Sequence, residues 1–359
     1  MRSCKARWLD TAAAARMQGQ PDAAAAAYLE VLALDPADLT SLRGLYYLQV
    51  GENTRQTLLS QLRQLICTAP PHPLAHFLLA HWLRQVETAE ALELNRQAAR
   101  QGLPRQRLAP VGSAAAAGGL PEVVILGAPK SGTTSLAAYL AGHPSVWLHP
   151  LKELHFFDNH WELGEVWYRS QFPPLRSPGL LRLEATPDYL QHPMAPQRMH
   201  TLMPETRLIV LLREPLERAL SWIRHMRSLI GLQGDSEALL RDEAERLEAL
   251  AEAELAGLGW FRPNALSGSL YAQQLRRWLA VWPASQLLLL RFEDLALHPE
   301  AVLRRCLAFL DLDSEAALAG RSYPVHNSGV LPRESIDPAL ARRCREGVLA
   351  EALELWNGL

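Results

Sequence analysis

Apolar positions along residues 1–104 follow the spacing of amphipathic helices. Alanine and leucine recur three and four residues apart, and β-branched residues are sparse. Asp35-Pro36, Ala69-Pro70 and Leu103-Pro104 each end a helical stretch, because proline cannot continue a helix. This segment is therefore predicted to be all-α.

The helical segment has an internal period. Pro36, Pro70 and Pro104 follow one another at intervals of 34 residues, and the same offset relates Leu45 to Leu79. A 34-residue period of paired helices resembles the tetratricopeptide repeat. Such repeats imply binding of a protein partner or self-association. An irregular helical bundle with coincidental prolines is the alternative.

The pattern changes after residues 105–120, whose prolines, glycines and alanine run are typical of a linker. Beyond them, short and wholly apolar runs alternate with helical segments, as expected for buried parallel strands covered by helices. The strand candidates are Val123–Leu126, Leu180–Glu184, Arg207–Leu212 and Gln286–Phe292.

The predicted fold class is α/β, with a P-loop-type parallel sheet flanked by helices and preceded by an all-α repeat domain. The predicted boundaries are 1–104 for the repeats, 105–120 for the linker and 121–359 for the α/β domain. We expect the two domains to be separable, because domains carry their own cores.

Composition excludes several classes of function. The formal net charge is −2, so no global field favours nucleic acid or an anionic membrane. The four cysteines are scattered without a C-x-x-C pair, which argues against a zinc site or a disulfide framework, and no metal is expected. Because no apolar stretch has the length of a signal peptide core or a membrane span, a cytoplasmic protein is expected.

The first strand runs into a glycine-containing loop followed by a helix. Gly127-Ala128-Pro129-Lys130-Ser131-Gly132-Thr133-Thr134 should present backbone N–H groups and the positive end of the helix to an anion. The Walker A pattern requires lysine where Thr133 stands, and the lysine here lies inside the loop at position 130. A phosphotransferase using Mg-ATP is therefore the alternative rather than the first hypothesis.

Four further blocks accompany this loop in order. They are Lys152–Asp158, Arg213–Ser221, Ser269–Tyr271 and Arg291–Leu295. With the loop, they resemble the blocks of PAPS-dependent sulfotransferases, in particular the carbohydrate and heparan sulfate group. PAPS is 3′-phosphoadenosine 5′-phosphosulfate. The resemblance covers roughly residues 122–335 and implies an enzyme that transfers a sulfuryl group from PAPS, its co-substrate, without a metal.

The resemblance implies two phosphate sites. The loop residues Lys130, Ser131, Gly132, Thr133 and Thr134 would hold the 5′ end of PAPS. The 3′-phosphate and the nucleoside would be held by Arg213, Ser221, Tyr271, Asn327, Ser328 and Arg333. For Arg213 a surface ion pair with Glu214 or Glu217 is the alternative.

The resemblance also implies the catalytic residues. Glu153 is the expected general base, His155 the second candidate, and Lys130 the cation that follows the bridging oxygen. In an extended segment Glu153 and His155 would point the same way, and the neighbouring phenylalanines would raise the pKa of Glu153 by burial. The chain has Ala185 where heparan sulfate enzymes have a lysine, which leaves Lys130 as the expected cation at the sulfuryl group.

The sequence leaves the acceptor open. A glycan, a small metabolite and a protein side chain all fit. The charged segment 235–256 is expected to be a solvated helix or a lid over the acceptor cleft. A scaffold protein with an inactive α/β half is the third hypothesis, and the intact Lys130, Glu153 and Arg213 argue against it.

Overall fold

The structure is a computed structural model of the chain. It describes residues 2–68, 72–84, 87–101, 103–110, 118–175, 179–251, 254, 265–314, 318, 322–326, 332 and 334–359. Asn327, Ser328 and Arg333, which the sequence predicts to contact the nucleotide, lie outside these residues.

The first part of the chain is helical, as predicted. Its helices are α1 (Arg2–Met17), α2 (Pro21–Leu34), α3 (Leu39–Tyr46), α4 (Glu52–Thr68), α5 (Pro73–Leu83) and α6 (Thr88–Arg100). Pro36 and Pro104 follow the second and sixth of these helices. Whether the six helices are tetratricopeptide repeats stays a prediction.

The second part is a five-stranded parallel sheet in the order β2-β3-β1-β4-β5. The strands are β1 (Val123–Gly127), β2 (Val146–Leu148), β3 (Leu181–Ala185), β4 (Arg207–Leu212) and β5 (Leu287–Arg291). The α/β prediction is confirmed. The edge strand β2 was not predicted, because three residues are too few to show a periodic pattern.

Helices connect and cover the strands. They are α7 (Thr133–Ala141), α8 (Phe156–Asn159), α9 (Gly164–Ser170), α10 (Ala195–Leu202), α11 (Pro215–Ile230), α12 (Ser236–Glu248), α13 (Tyr271–Leu279), α14 (Phe292–Leu297), α15 (Pro299–Phe309), α16 (Pro338–Glu346) and α17 (Ala350–Asn357).

Alternate residues of β1 face different cores. Val123 and Ile125 pack with α7 and α15, whereas Val124 and Leu126 face the opposite side.

The core on that opposite side extends into helices α1–α6, which form the helical half of the chain. Leu42, Leu79 and Leu94 belong to the same buried cluster as Val124 and Tyr168. The Phe77 and His149 rings lie 4.4 Å apart, and the buried amide of Asn95 donates to Ser170 Oγ at 3.1 Å. The shared core argues against the expectation that the two parts are separable. The exact division into repeats, linker and α/β domain stays a prediction.

The described part of the charged segment is α12, which is not only a solvated helix. Glu243 is buried on it and accepts hydrogen bonds from the backbone of Leu266 at 3.0 Å and Ser267 at 2.9 Å. Burial, the largest influence, raises the pKa of Glu243, and these hydrogen bonds oppose the rise. This carboxylate ties α12 to the chain that leads into α13.

Candidate functional site

The glycine-containing loop lies at the carboxyl end of β1. Lys130 and Gly132 have φ angles of 69° and 85°, so the backbone turns sharply before α7 begins. A Cβ on Gly132 would lie 2.8 Å from the Phe292 ring, which leaves room only for glycine there. The first N–H groups of α7 have no acceptor within the helix and point into the turn. The loop is therefore built to receive an anion.

Lys130 supplies the charge of this loop. Burial, the largest effect, lowers the pKa of Lys130 to about 8, helped by Lys152 and Arg213 nearby and opposed by Glu153. Lys130 thus belongs to a local group of cations, although the whole chain has a net charge of −2. Backbone donors beside clustered cations are the chemistry that a phosphate or sulfate ester requires, so these residues fit PAPS.

Arg213 follows β4 at the neighbouring strand end. Its Nη1 donates to the Lys130 carbonyl at 3.4 Å, and its guanidinium lies 4.9 Å from the Phe292 ring. The Tyr271 hydroxyl donates to the Arg213 carbonyl at 2.9 Å. Arg213 also lies 3.7 Å from Glu217, so the ion pair given as the alternative is present.

The other residues predicted to contact the nucleotide are spread over the loop, α11 and α13. Ser131 and Thr133 are buried in the loop, and Thr134 is half-buried. Ser221 lies half-buried on α11, two helical turns beyond Arg213. Tyr271 is fully buried, and its hydroxyl holds the backbone of Arg213. The nucleotide roles of these residues stay predictions.

The segment that carries Glu153 is not extended, contrary to the expectation. Lys152 and His155 have φ angles of 68° and 52°, and α8 begins directly afterwards. Thr186 Oγ1 accepts from the Leu154 N–H at 3.0 Å and fixes this turn. The alternation of side chains along a strand therefore does not predict the relative directions of the Glu153 and His155 side chains.

A buried carboxylate holds the turn in place. Glu184 Oε1 accepts from Thr186 Oγ1 and from the Tyr189 hydroxyl, both at 2.7 Å, and Oε2 accepts from the Tyr168 hydroxyl. The Tyr189 hydroxyl in turn accepts from the Phe156 N–H at 2.8 Å. Residues 184–189 thus support the segment that carries Glu153.

Each carboxylate oxygen of Glu153 has its own neighbour. Lys152 Nζ lies 2.5 Å from Oε1, and the Tyr47 hydroxyl donates to Oε2 at 3.3 Å. Burial favours a raised pKa, but attraction to Lys152 and His155 outweighs it and lowers the pKa of Glu153 to about 2. The expectation of a raised pKa is therefore wrong, because it considered the apolar neighbours and not the cations.

The surroundings of His155 favour its protonated form. Its Nδ1 lies 2.8 Å from Asp158 Oδ2. Burial opposes protonation, yet Asp158, Asp188 and Glu153 together raise the pKa of His155 to about 9. A protonated imidazole has no lone pair for an incoming proton, so Glu153 is the better candidate for the base.

Within the described ranges, one group of side chains has the spacing of metal ligands. Ligand atoms of His155, Asp158 and Asp188 lie within 4.8 Å of one another. The hydrogen bond between His155 and Asp158 already uses one ring nitrogen. The arrangement is accounted for as a charged hydrogen-bonded group.

Sequence reasoning missed three residues of this site. Lys152 stands directly before Glu153, but the expected strand would have turned it to the opposite face. His225 lies on α11, near Lys130 and Glu153. Burial is the main cause that lowers the pKa of His225 to about 4, and the charges of Lys130 and Glu153 also act on it. Tyr47 belongs to the helical half and gave no signal in the sequence.

The second part of the chain is similar to known sulfotransferases. Residues 120–322 match the family described as Sulfotransferase domain. Heparan sulfate glucosamine 3-O-sulfotransferase 6 of Homo sapiens is 34% identical over 193 residues, which are 54% of this chain and 52% of that protein. A membrane-associated sulfotransferase of Dictyostelium discoideum is 28% identical over 267 residues, covering 54% of this chain and 56% of that protein.

A solved sulfotransferase structure has a fold similar to that of this chain. A sulfotransferase from Alicyclobacillus acidocaldarius superposes with a TM-score of 0.52 at 26% identity, covering 67% of this chain and 95% of that one. The curated relatives are matched over only part of their length. A bifunctional heparan sulfate N-deacetylase/N-sulfotransferase of Caenorhabditis elegans is matched over 22% of its length, and the two proteins above over about half.

The expectation of a cytoplasmic protein is wrong. The relatives include heparan sulfate enzymes and a protein described as membrane-associated. The expectation depended on the lack of a long apolar stretch, and that property does not identify a compartment. Among the described residues, no helix has the length and apolar character needed to cross a bilayer.

Proposed function

The chain belongs to the sulfotransferase family, and from that premise we propose that it transfers a sulfuryl group from PAPS to a hydroxyl or amine of a glycan. The observation that carries the proposal is the juxtaposition of Lys130, Arg213 and Glu153 at one edge of the sheet. Electrostatic interaction links Lys130 with both of the others. Cations for two phosphates and a carboxylate for the acceptor proton thus lie near one another at the carboxyl ends of the strands.

The loop and Arg213 would hold the donor. Lys130 and the first N–H groups of α7 would bind the 5′-phosphosulfate, and Arg213 with Ser221 would bind the 3′-phosphate. PAPS, when bound, supplies the activated sulfuryl group. Lys130 would stabilise the negative charge that develops on the oxygen bridging sulfur and phosphorus.

Glu153 would accept the proton of the acceptor. The acceptor oxygen or nitrogen forms a bond to sulfur, the bond from sulfur to the phosphate oxygen breaks, and the proton passes to the Glu153 carboxylate. A pKa of about 2 makes Glu153 fully ionised but weakly basic. Negative charge brought next to Lys130 and Lys152 raises the pKa of Glu153 and so strengthens the base.

A glycan is the acceptor class that the relatives favour. The matched human enzyme is named for heparan sulfate glucosamine. Ala185 departs from the heparan sulfate enzymes, but Lys152 lies against Glu153 and provides a cation there. A site rich in cations also suits an acidic polysaccharide, which the net charge of the chain did not indicate.

The Mg-ATP phosphotransferase is not favoured. Thr133 stands at the lysine position of the Walker A pattern, and family membership points to sulfuryl transfer. Protein binding or self-association through α1–α6 stays a prediction.

A thermal shift experiment tests the donor. A ligand at a hundred times its Kd stabilises a protein by about 2.7 kcal/mol. We expect adenosine 3′,5′-bisphosphate to raise the melting temperature far more than ATP with Mg²⁺, because the bisphosphate engages both cation sites. Adenosine 5′-phosphate serves as the control that lacks the 3′-phosphate. Equal stabilisation by Mg-ATP would favour the phosphotransferase.

Transfer itself is tested with radiolabelled PAPS. We expect label to enter de-O-sulfated heparan sulfate, and not a tyrosine peptide or a simple phenol. Label in the peptide or the phenol alone would reject the glycan and keep the donor assignment.

Replacing Arg213 by alanine tests the 3′-phosphate site. Loss of a hydrogen bond to a charged group costs about 1.5–3 kcal/mol, so the affinity for adenosine 3′,5′-bisphosphate should fall about 10- to 150-fold. The affinity for adenosine 5′-phosphate should change little. Isothermal titration calorimetry measures both.

Arg276→Ala is the matched control for Arg213→Ala. The Arg276 side chain is 56% exposed and pairs with Glu351. If Arg213→Ala binds the bisphosphate as the Arg276→Ala protein does, another residue holds the 3′-phosphate.

A further inference from the structure

The helical half of the chain reaches the carboxylate proposed as the base. Tyr47 directly follows α3, and its hydroxyl donates to Glu153 Oε2 at 3.3 Å. Four residues earlier, Arg43 Nη2 donates to the carbonyl of Pro150 at 3.5 Å. The end of α3 is thus attached at two points to the segment that carries Glu153.

The Tyr47 contact restricts how Glu153 points. Lys152 Nζ contacts Oε1 at 2.5 Å and the Tyr47 hydroxyl contacts Oε2. Because separate groups hold the two oxygens, rotation of the carboxylate breaks at least one contact. An ionised carboxylate forms stronger hydrogen bonds than a neutral one, so both contacts favour the base in its active form.

Packing within the helical half holds Tyr47 in place. Asp38 caps α3 by accepting from the Ser41 N–H at 2.7 Å. The buried ring of Tyr46 lies 5.1 Å from the Tyr47 ring and 4.2 Å from the His81 ring of α5. Tyr47 itself is 46% exposed, so it borders both the protein and the open side of the site.

A second contact brings the same half to the other side of the site. The charge of Arg16, on α1, contributes to lowering the pKa of His225 on α11, and Lys130 and Glu153 act on the same imidazole. The carbonyl of Met17 lies 2.5 Å from the position that a Cβ on Gly231 would occupy. The end of α1 therefore packs beside the end of α11, the helix that carries His225.

We propose that the N-terminal helices form one wall of the acceptor cleft and that Tyr47 is a positioning residue for Glu153. The inference rests on the proposed function, because it requires Glu153 to take the acceptor proton. An acceptor hydroxyl that is hydrogen-bonded to Glu153 would lie within roughly 6 Å of the Tyr47 oxygen. The acceptor must therefore pass beside the end of α3.

Three variants of the full chain test the inference. Tyr47→Phe removes only the hydroxyl that contacts Glu153. Tyr46→Phe is the matched control, since the Tyr46 hydroxyl is buried and has no hydrogen-bond partner among the described residues. Glu153→Gln removes the base itself. Turnover is measured from radiolabelled PAPS to de-O-sulfated heparan sulfate, with KM for PAPS measured in parallel.

We expect Tyr47→Phe to lower kcat about 5- to 30-fold, the factor that corresponds to one or two kcal/mol. KM for PAPS and the melting temperature should remain those of Tyr46→Phe. A residue with a merely structural role would change the melting temperature instead. A twofold or smaller change in kcat for Tyr47→Phe, with at least a hundredfold loss for Glu153→Gln, would overturn the inference and leave the proposed function intact.

Crystal structures of the wild type and Tyr47→Phe give a readout that needs no acceptor. We expect the Glu153 carboxylate to turn away or lose order in Tyr47→Phe, while the fold is unchanged. A carboxylate that keeps its place on Lys152 overturns the inference. If the wild type does not sulfate the polymer, the glycan proposal is wrong and the two crystal structures decide about Tyr47. A fully active Glu153→Gln protein overturns both the base assignment and the role of Tyr47.

Discussion

Replacing Glu153 by glutamine is expected to lower turnover about 10²- to 10⁴-fold, the usual contribution of a positioned base. Glutamine has nearly the shape of glutamate but cannot take a proton at neutral pH. The Tyr47 hydroxyl can still donate to the amide oxygen, so the fold and the affinity for adenosine 3′,5′-bisphosphate should be retained. Rapid-mixing kinetics with radiolabelled PAPS measures the loss at the chemical step.

Two controls make the Glu153 result specific. Glu162→Gln removes a 70% exposed carboxylate from the same region and should leave turnover unchanged. His155→Ala should be less harmful than Glu153→Gln, because a pKa of about 9 keeps His155 protonated at neutral pH. An active Glu153→Gln protein together with an inactive His155→Ala protein would reverse the two roles.

Removal of the helical half is expected to destroy the folded state of the remainder. Residues 118–359 alone would expose the apolar side chains that share a core with α2, α5 and α6, and would lose the buried hydrogen bond from Asn95 to Ser170. Each buried apolar side chain left exposed costs about 1.5–3 kcal/mol, while a whole protein is stable by about 5–15 kcal/mol. Loss of several such contacts exceeds that margin.

Circular dichroism on heating measures this effect. We expect no cooperative transition in the fragment and no binding of adenosine 3′,5′-bisphosphate. The control is the full chain cleaved between residues 111 and 117 after folding, which keeps all the described contacts and should melt close to the intact protein. A fragment that melts cooperatively and binds the nucleotide would show that the α/β half has a sufficient core of its own.

The parts of the fold that the sequence predicted are those with a local signal. The predicted strand Arg207–Leu212 has the same bounds in the structure, and β1 extends the predicted run by one residue. Continuous apolar runs identify buried parallel strands, and the sharp turn between β1 and α7 follows from its glycines. Strand β2 has only three residues and no such signal.

The parts that were missed depend on tertiary contacts. The left-handed backbone at Lys152 and His155 is uncommon for residues other than glycine, so no local pattern predicts it. The low pKa of Glu153 follows from cations that this backbone brings together. The hydrogen bond from Tyr47 to Glu153 joins residues 106 positions apart, which no single sequence reveals.

The core shared by the two halves has a consequence for synthesis on the ribosome. Helices α1–α6 leave the ribosome before the sheet, with the apolar residues that share a core with Val124 and Tyr168 uncovered. At about 5–20 residues per second, the chain from α6 to β4 requires roughly 5–20 seconds more. During that time the nascent helices expose these apolar side chains to solvent. A chaperone that binds apolar segments would protect them until β4 emerges.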